Sequence, residues 1–395
     1  VEKILSDVFG VEKRIKNRLN TNGCIAPLNR KPLGYFAYNF LNRLGRLRDV
    51  FSGSPSEIDC ICERVKNIAE AKNHQWAGPY SELVALDFYS QFSEFFPVSY
   101  INLLRIADHR QSIPALNGQK EVIDIDLCLH FRTERLFTDV KSFNCIHLQI
   151  FDQIFEEIED FARKTLGRSV LVGVDNLSEI DYSEVKNSLG AEKRSIRREL
   201  KRAVSEGRKS VAYCSDSGLR FDFKISYATP SSPFLSTVKE YSPYAMAESY
   251  KFKFLDYGNK LVDNEYSLIT IVRNPWFNAE TVDFGDFNNI FYRSLSRRTF
   301  MELLRIDSEA REFSRSYASS AVRVSDVSKS LAGIVFIDDN SPSCRSQEGL
   351  YSAYIYLNPN YAAKEPLTIR RVEKYFRNKF EVQIKDFDDF KWDNY

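Results

Sequence analysis

Between Val122 and Phe143 the chain reads VIDIDLCLHFRTERLFTDVKSF. Residues 123–131 alternate: Ile123, Ile125, Leu127, Leu129 and Phe131 on one face, Asp124, Asp126, Cys128 and His130 on the other. That is the period of a half-buried strand. Arg132 to Arg135 predicts a charged loop and Leu136 to Phe143 the returning strand. A loop that closes symmetrically pairs Asp126 with Lys141 and Cys128 with Asp139, making Asp126 and Asp139 diagonal neighbours on one face. Two carboxylates and a lysine collected there have no packing rationale, because burying unpaired charge is costly. Hard oxygen donors so arranged suit a divalent cation. Asp124 shares the face but stands level with Phe143, one step further from Lys141, and ranks below Asp126.

Asp126 and, thirteen residues on, Asp139, Val140 and Lys141 resemble the motif of the PD-(D/E)xK nuclease superfamily, the restriction-endonuclease-like fold. The resemblance covers roughly residues 79–175. It implies an α/β fold: a mixed sheet flanked by helices, preceded by a helical N-terminal region and followed by a further α/β region. That family often adds an acid from a helix before the hairpin, and Glu82 in PYSELVALDFYSQF is the matching position. It usually adds a helix and a strand after the lysine. HLQIFDQIFEEIEDFARK, apolar at Leu148, Phe151, Phe155, Ile158 and Phe161, and then SVLVGVD have that character. Ile125 stands where many members have Pro, and the second acid is Asp rather than Glu. The resemblance implies Mg²⁺, with Mn²⁺ able to substitute, held by Asp126, Asp139 and the Val140 carbonyl, with Glu82 completing the shell. Lys141 would orient the attacking water or stabilise the pentavalent anion. The implied activity is an endonuclease cutting DNA to 5′-phosphate ends, of restriction or anti-phage defence type. RNA as substrate, a homodimer and a defence-system partner protein remain open.

The bare acid-x-Lys pattern is unspecific. It recurs at Glu70/Lys72, Glu184/Lys186, Glu199/Lys201, Asp222/Lys224 and Asp389/Lys391. Apart from Asp139/Lys141, only GLRFDFKISYA around Asp222 and Lys224 reads as a strand, and there charges on a wet face explain the alternation.

The elements that must position the site divide the sequence into four stretches. Residues 1–78 predict helices with basic clusters at Lys13, Arg14, Lys16 and Arg18, and at Arg43, Arg46 and Arg48; one helix opens at Pro55 or Ser56. Residues 79–190 predict the nuclease-like core. Residues 191–264 open with AEKRSIRRELKRAVSEGRK, eight basic residues against three acidic. There Ile196, Leu200, Ala203 and Val204 make an apolar stripe, and Arg194, Arg197, Arg198, Lys201 and Arg202 project elsewhere. Arg194, Arg197, Arg198 and Lys201 are candidate contacts to a nucleic-acid backbone, against the alternative of a solvated face. Residues 265–395 read as α/β, with strands in SLITIVRN, LAGIVFIDD and LYSAYIYLNP and helices in FNNIFYRSLSRRTFMELLRI and TIRRVEKYFRNKF. They either extend the core sheet or form another domain. Asp338 and Asp339 end a strand and read as the start of a turn.

With 395 residues and 43% hydrophobic content the chain has material for more than one core. Its 55 basic and 54 acidic residues give no overall positive field, so any nucleic-acid contact must be local. Seven scattered cysteines without a CxxC pair disfavour zinc and a disulfide framework. There is no GxxxxGK[ST], GxSxG or HExxH. No apolar run has the length of a membrane span, and the amphipathic start VEKILSDVFGVEKRIKNRL is unlike a signal peptide, so a cytoplasmic protein without membrane contact is expected. The alternative function is a nucleic-acid- or partner-binding subunit that keeps the fold without cleaving.

Overall fold

The computed structural model describes residues 24, 33–71, 73–91, 103–104, 126–131, 134–143, most of 157–174, 182–215, 218–226, 266–275, 287–305, 331–358 and 383–384, with residues 154, 244 and 247 besides. The N-terminal basic cluster at 13–18, Asp124, Ile125, Leu148, Phe151, Phe155, the helix in TIRRVEKYFRNKF and the pair Asp389/Lys391 lie outside them. The chain divides into two compact units, Val1–Phe143 with Tyr250–Tyr395, and Asn144–Ser249.

The first unit holds a seven-stranded mixed sheet. Its strands are β1 Leu103–Leu104, β2 Leu127–Phe131, β3 Glu134–Ser142, β7 Tyr266–Arg273, β8 Leu331–Asp339, β9 Tyr351–Leu357 and β10 Gln383–Ile384. They lie side by side in the order β1-β2-β3-β7-β8-β9-β10. β1, β2 and β3 run antiparallel in sequence; β3, β7 and β8 are parallel; β9 is antiparallel to β8 and parallel to β10. β8 is buried along its whole length, as its unbroken apolar run LAGIVFI requires of a strand covered on both faces. Where β7 and β8 slip in register, at Ser267/Leu268, Gly333 lies so close to β9 that a Cβ there would stand 2.7 Å from the Tyr356 carbonyl oxygen.

Three helices cover one face. α1 (Phe36–Val50) and α2 (Pro55–Glu70) are amphipathic, and α2 opens on Pro55, whose fixed φ and missing N–H suit a first turn. α3 (Ala77–Ser90) has eleven of its fourteen residues buried, so it is apolar nearly all round and lies in the interior. It contacts α1, α2, β1, β3 and β7. Phe40, Tyr80, Leu83, Val84 and Phe88 share a core with Leu127, Val140, Leu268, Val272, Val335 and Ile355. The helix α5, which spans Phe287–Arg305, covers the other face, Phe291 meeting Phe143 edge-on and Tyr292 stacking on Phe336 at 4.2 Å.

The second unit has its own sheet, built from β4 Ser169–Val174, β5 Ser210–Cys214 and β6 Arg220–Ser226 in the order β4-β6-β5. The long helix α4 (Tyr182–Ser205) brings Ile196, Leu200 and Ala203 to a core with Val170, Val172, Phe221 and Phe223. Among the described residues no helix is long and apolar enough to cross a membrane.

One expectation needs correction. SVLVGVD forms β4, which pairs with β6 in the second unit. The inner neighbour of β3 is instead β7, far along the chain. Both segments are short apolar runs that read alike in sequence, and only the pairing distinguishes them. The compact units break near 143 and 250, with β3 and β7 in one sheet.

Candidate metal and phosphoryl-transfer site

The β2–β3 hairpin is tighter than expected. Its pairs run from Leu127↔Thr138 to Phe131↔Glu134, leaving two residues in the turn. Glu134 and Arg135 belong to the strand rather than to a four-residue loop, which agrees with the commonest hairpin length. The ladder is therefore two residues out of the predicted register, with Cys128 opposite Phe137 rather than Asp139. A slip of two keeps every side chain on its face. Extending the observed register brings Asp126 level with Asp139 instead of diagonal to it.

Asp126 lies where the ladder stops. Its Oδ2 accepts the Val140 N–H at 2.7 Å, taking the place of a backbone acceptor from β2. The N–H and C=O of one residue in a strand point to the same edge, so the Val140 carbonyl faces this opening as well. Asp139 and Lys141, two residues apart on β3, form an ion pair; Asp139 is buried and Lys141 half-buried. Burial raises the Asp126 carboxyl well above the usual carboxylate range, and the charges of Asp139 and then Glu82 push it further. Three acids have been brought together out of water, and the other two each make the charged form of Asp126 less favourable.

Glu82, on α3, is half-buried, as are Gly78 and Pro79 in the first turn, while the other eleven residues of the helix are buried. Arg64, on α2, donates to its Oε2 at 2.6 Å. Burial raises the Glu82 carboxyl; Arg64 and, less strongly, Lys141 oppose the rise, and Asp139 adds to it. Glu82 thus belongs electrostatically to the Asp139–Lys141 cluster. Behind the site a hydroxyl chain ties the elements together: Tyr89 of α3 to Thr270 of β7 at 2.7 Å, and Thr270 to Thr138 of β3 at 2.7 Å.

Among the described residues no group of three or more His, Cys, Asp and Glu stands at metal-binding spacing. Mg²⁺ does not need one, since it keeps several waters and is usually held through one or two carboxylates. Asp126, Asp139 and the Val140 carbonyl form an all-oxygen donor set. The repulsion among these carboxylates is what a cation would relieve. The residues fit such an ion.

The rival pair Asp222/Lys224 lies on the exposed face of β6. Its Cα partners are Gly173 and Ala212 for Asp222 and Leu171 and Ser210 for Lys224, so no second acid stands across from it. On α4, Arg194, Arg197, Arg198 and Lys201 are all exposed. Arg197 forms an ion pair with Glu157, whereas Arg194, Arg198 and Lys201 pair with no carboxylate among the described residues.

Sequence reasoning missed two clusters. Arg43, in the second basic cluster, is fully buried. It donates to Tyr351 Oη at 2.9 Å, Tyr80 Oη at 2.7 Å, Asp339 Oδ1 at 2.9 Å and Ser341 Oγ at 3.0 Å. Tyr80 donates to Asp339 Oδ2 at 2.5 Å, and Arg46 holds Asp87 with two bonds of 2.8 and 2.6 Å. Asp338 takes two bonds from Arg273, of 2.8 and 2.7 Å, and one from Tyr292 at 2.6 Å. Asp338 and Asp339 are therefore buried anchors on opposite faces of the sheet, not openers of a solvated turn. The signal available was the placing of both after a fully apolar strand. No family model matches the chain, and no match exists among the curated proteins or the solved structures.

Proposed function

We propose that the chain is a Mg²⁺-dependent endonuclease that hydrolyses phosphodiester bonds of DNA, with a restriction-endonuclease-like core. The observation that carries this reading is the convergence, at the open end of the β2–β3 ladder, of Asp126, Asp139 and Lys141 around the Val140 backbone. Asp126, Asp139 and the Val140 carbonyl would hold the ion. Bound there, Mg²⁺ supplies Lewis-acid polarisation of the scissile phosphate and lowers the pKa of water. Lys141, fixed by Asp139, offers an ammonium to the charge that develops on the phosphoryl oxygens, or orients the attacking water. Glu82, held by Arg64, accepts hydrogen bonds at the rim. The exposed Arg194, Arg198 and Lys201 offer phosphate contacts that read no bases. The setting, restriction or anti-phage defence, rests on the family resemblance alone.

The alternative reading is a nucleic-acid- or partner-binding subunit that keeps this fold without cutting. Incubation with supercoiled plasmid and Mg²⁺, against EDTA and against Asp139→Asn, separates the two. Nicking or linearisation that needs both Mg²⁺ and Asp139 supports the nuclease; plasmid binding without cleavage in wild type supports the subunit.

A further inference from the structure

Arg64 is 3% exposed, and its Nη1 donates to the Cys60 carbonyl at 3.0 Å while its Nε holds Glu82. It stands on the buried stripe of α2 with Ile61, Val65 and Ile68, where an apolar side chain would pack as well. A buried arginine is unfavourable unless an acid faces it, and the acid it faces is the half-buried Glu82 of α3. That acid sits within the field of Asp139 and Lys141. Without Arg64, Glu82 would be a carboxylate in that field with its strongest counter-charge gone.

We infer that Arg64 is a positioning residue that keeps Glu82 off the cation, leaving Asp126 and Asp139 as direct ligands and Glu82 as an acceptor for the ion's water. The inference rests on the metal-dependent reading above. Its consequence is that α2, an element outside the hairpin and outside the motif, sets how the ion is coordinated. Outer-shell partners of this kind commonly change metal affinity or activity by about 10–100-fold when replaced.

The test is Mn²⁺ binding by the full chain, read from the paramagnetic resonance of free Mn²⁺, beside plasmid cleavage. Arg64→Met releases Glu82 and removes a positive charge, so Mn²⁺ should bind about fivefold tighter while kcat falls about tenfold. In the Glu82→Gln background the same substitution should change Mn²⁺ affinity less than about twofold, since the freed ligand is gone. Arg64→Lys keeps the charge and should restore affinity to within about twofold of wild type. An effect of Arg64→Met that is equal in both backgrounds, or confined to the melting temperature, overturns the inference and leaves a plain structural ion pair. If Arg64→Met fails to fold, Arg64→Gln carries the same comparison. Wild type binding Mn²⁺ no better than an Asp126→Asn/Asp139→Asn variant sinks the metal reading itself, and this inference with it; Mn²⁺ binding without Arg64–Glu82 coupling sinks this inference alone.

Discussion

Burial and two neighbouring acids raise the Asp126 carboxyl, and that has a sign in stability. A carboxyl raised in the folded state binds its proton more tightly there than in the unfolded chain. Its contribution to stability is full below the unfolded value and is lost as pH climbs through the raised folded value. Asp126→Asn keeps an acceptor for the Val140 N–H and removes the titration. It should raise the melting temperature at neutral pH, with the gain vanishing as the solution is acidified, in thermal melts across pH. The same variant, Asp139→Asn and Lys141→Ala should each lower cleavage by at least about 100-fold. Wild-type rates would move the search for the site elsewhere. Glu82→Gln should cost less than either Asp change and appear mainly as a shifted Mg²⁺ dependence of the rate. Asp126, Asp139, Lys141 and Glu82 were legible because period 2 and a short motif state which residues share a face. Arg64 was not: its role depends on how α2 lies against α3, and nothing local encodes that.

The elements around the site are tied by buried charge as well as by apolar contact. Arg43 links α1 to Tyr80 on α3, to Tyr351 on β9 and to Asp339 at the end of β8. Removing one partner of a buried, fully bonded group leaves the others unsatisfied, at a cost of about 3–5 kcal/mol. Arg43→Ala should therefore destabilise the first unit by about that amount in urea denaturation, whereas Arg48→Ala, at an exposed pair, should leave the midpoint in place. The two arginines are five residues apart and look alike in sequence; burial separates them. Strands and helices themselves were largely readable, since β8, β9 and α5 fall where LAGIVFIDD, LYSAYIYLNP and FNNIFYRSLSRRTFMELLRI announce them. Their partners were not. A one- or two-residue error in loop length moved the hairpin register, and two apolar runs competed for the place beside β3.

At the scale of the molecule, two cores stand apart in the chain. A cavity substitution in the second unit, Phe223→Ala, should loosen amide protection there, while Leu268 and Val335 in the first unit keep theirs in hydrogen exchange. Equal loss in both would mean a single cooperative unit. If α4 lies along nucleic acid, replacing Arg194, Arg198 and Lys201 by Ala should reduce the slope of log affinity against log salt by about one for each phosphate that is no longer neutralised. Arg197→Ala, already neutralised by Glu157, should change the slope far less. An unchanged slope in the triple variant would make the helix a solvated face. The parallel pairing of β3 with β7 bears on when any of this can work. Thr138 and Thr270 touch although 132 positions separate them in the chain. On a ribosome the hairpin with Asp126, Asp139 and Lys141 emerges long before β7, and loop-closure entropy has to be met before that pairing rewards it. During synthesis the hairpin lacks its inner neighbour, and Val140 its buried floor. A chain that ends short of Arg273 lacks part or all of β7, so the strand that flanks β3 can be completed only after the second unit has been made.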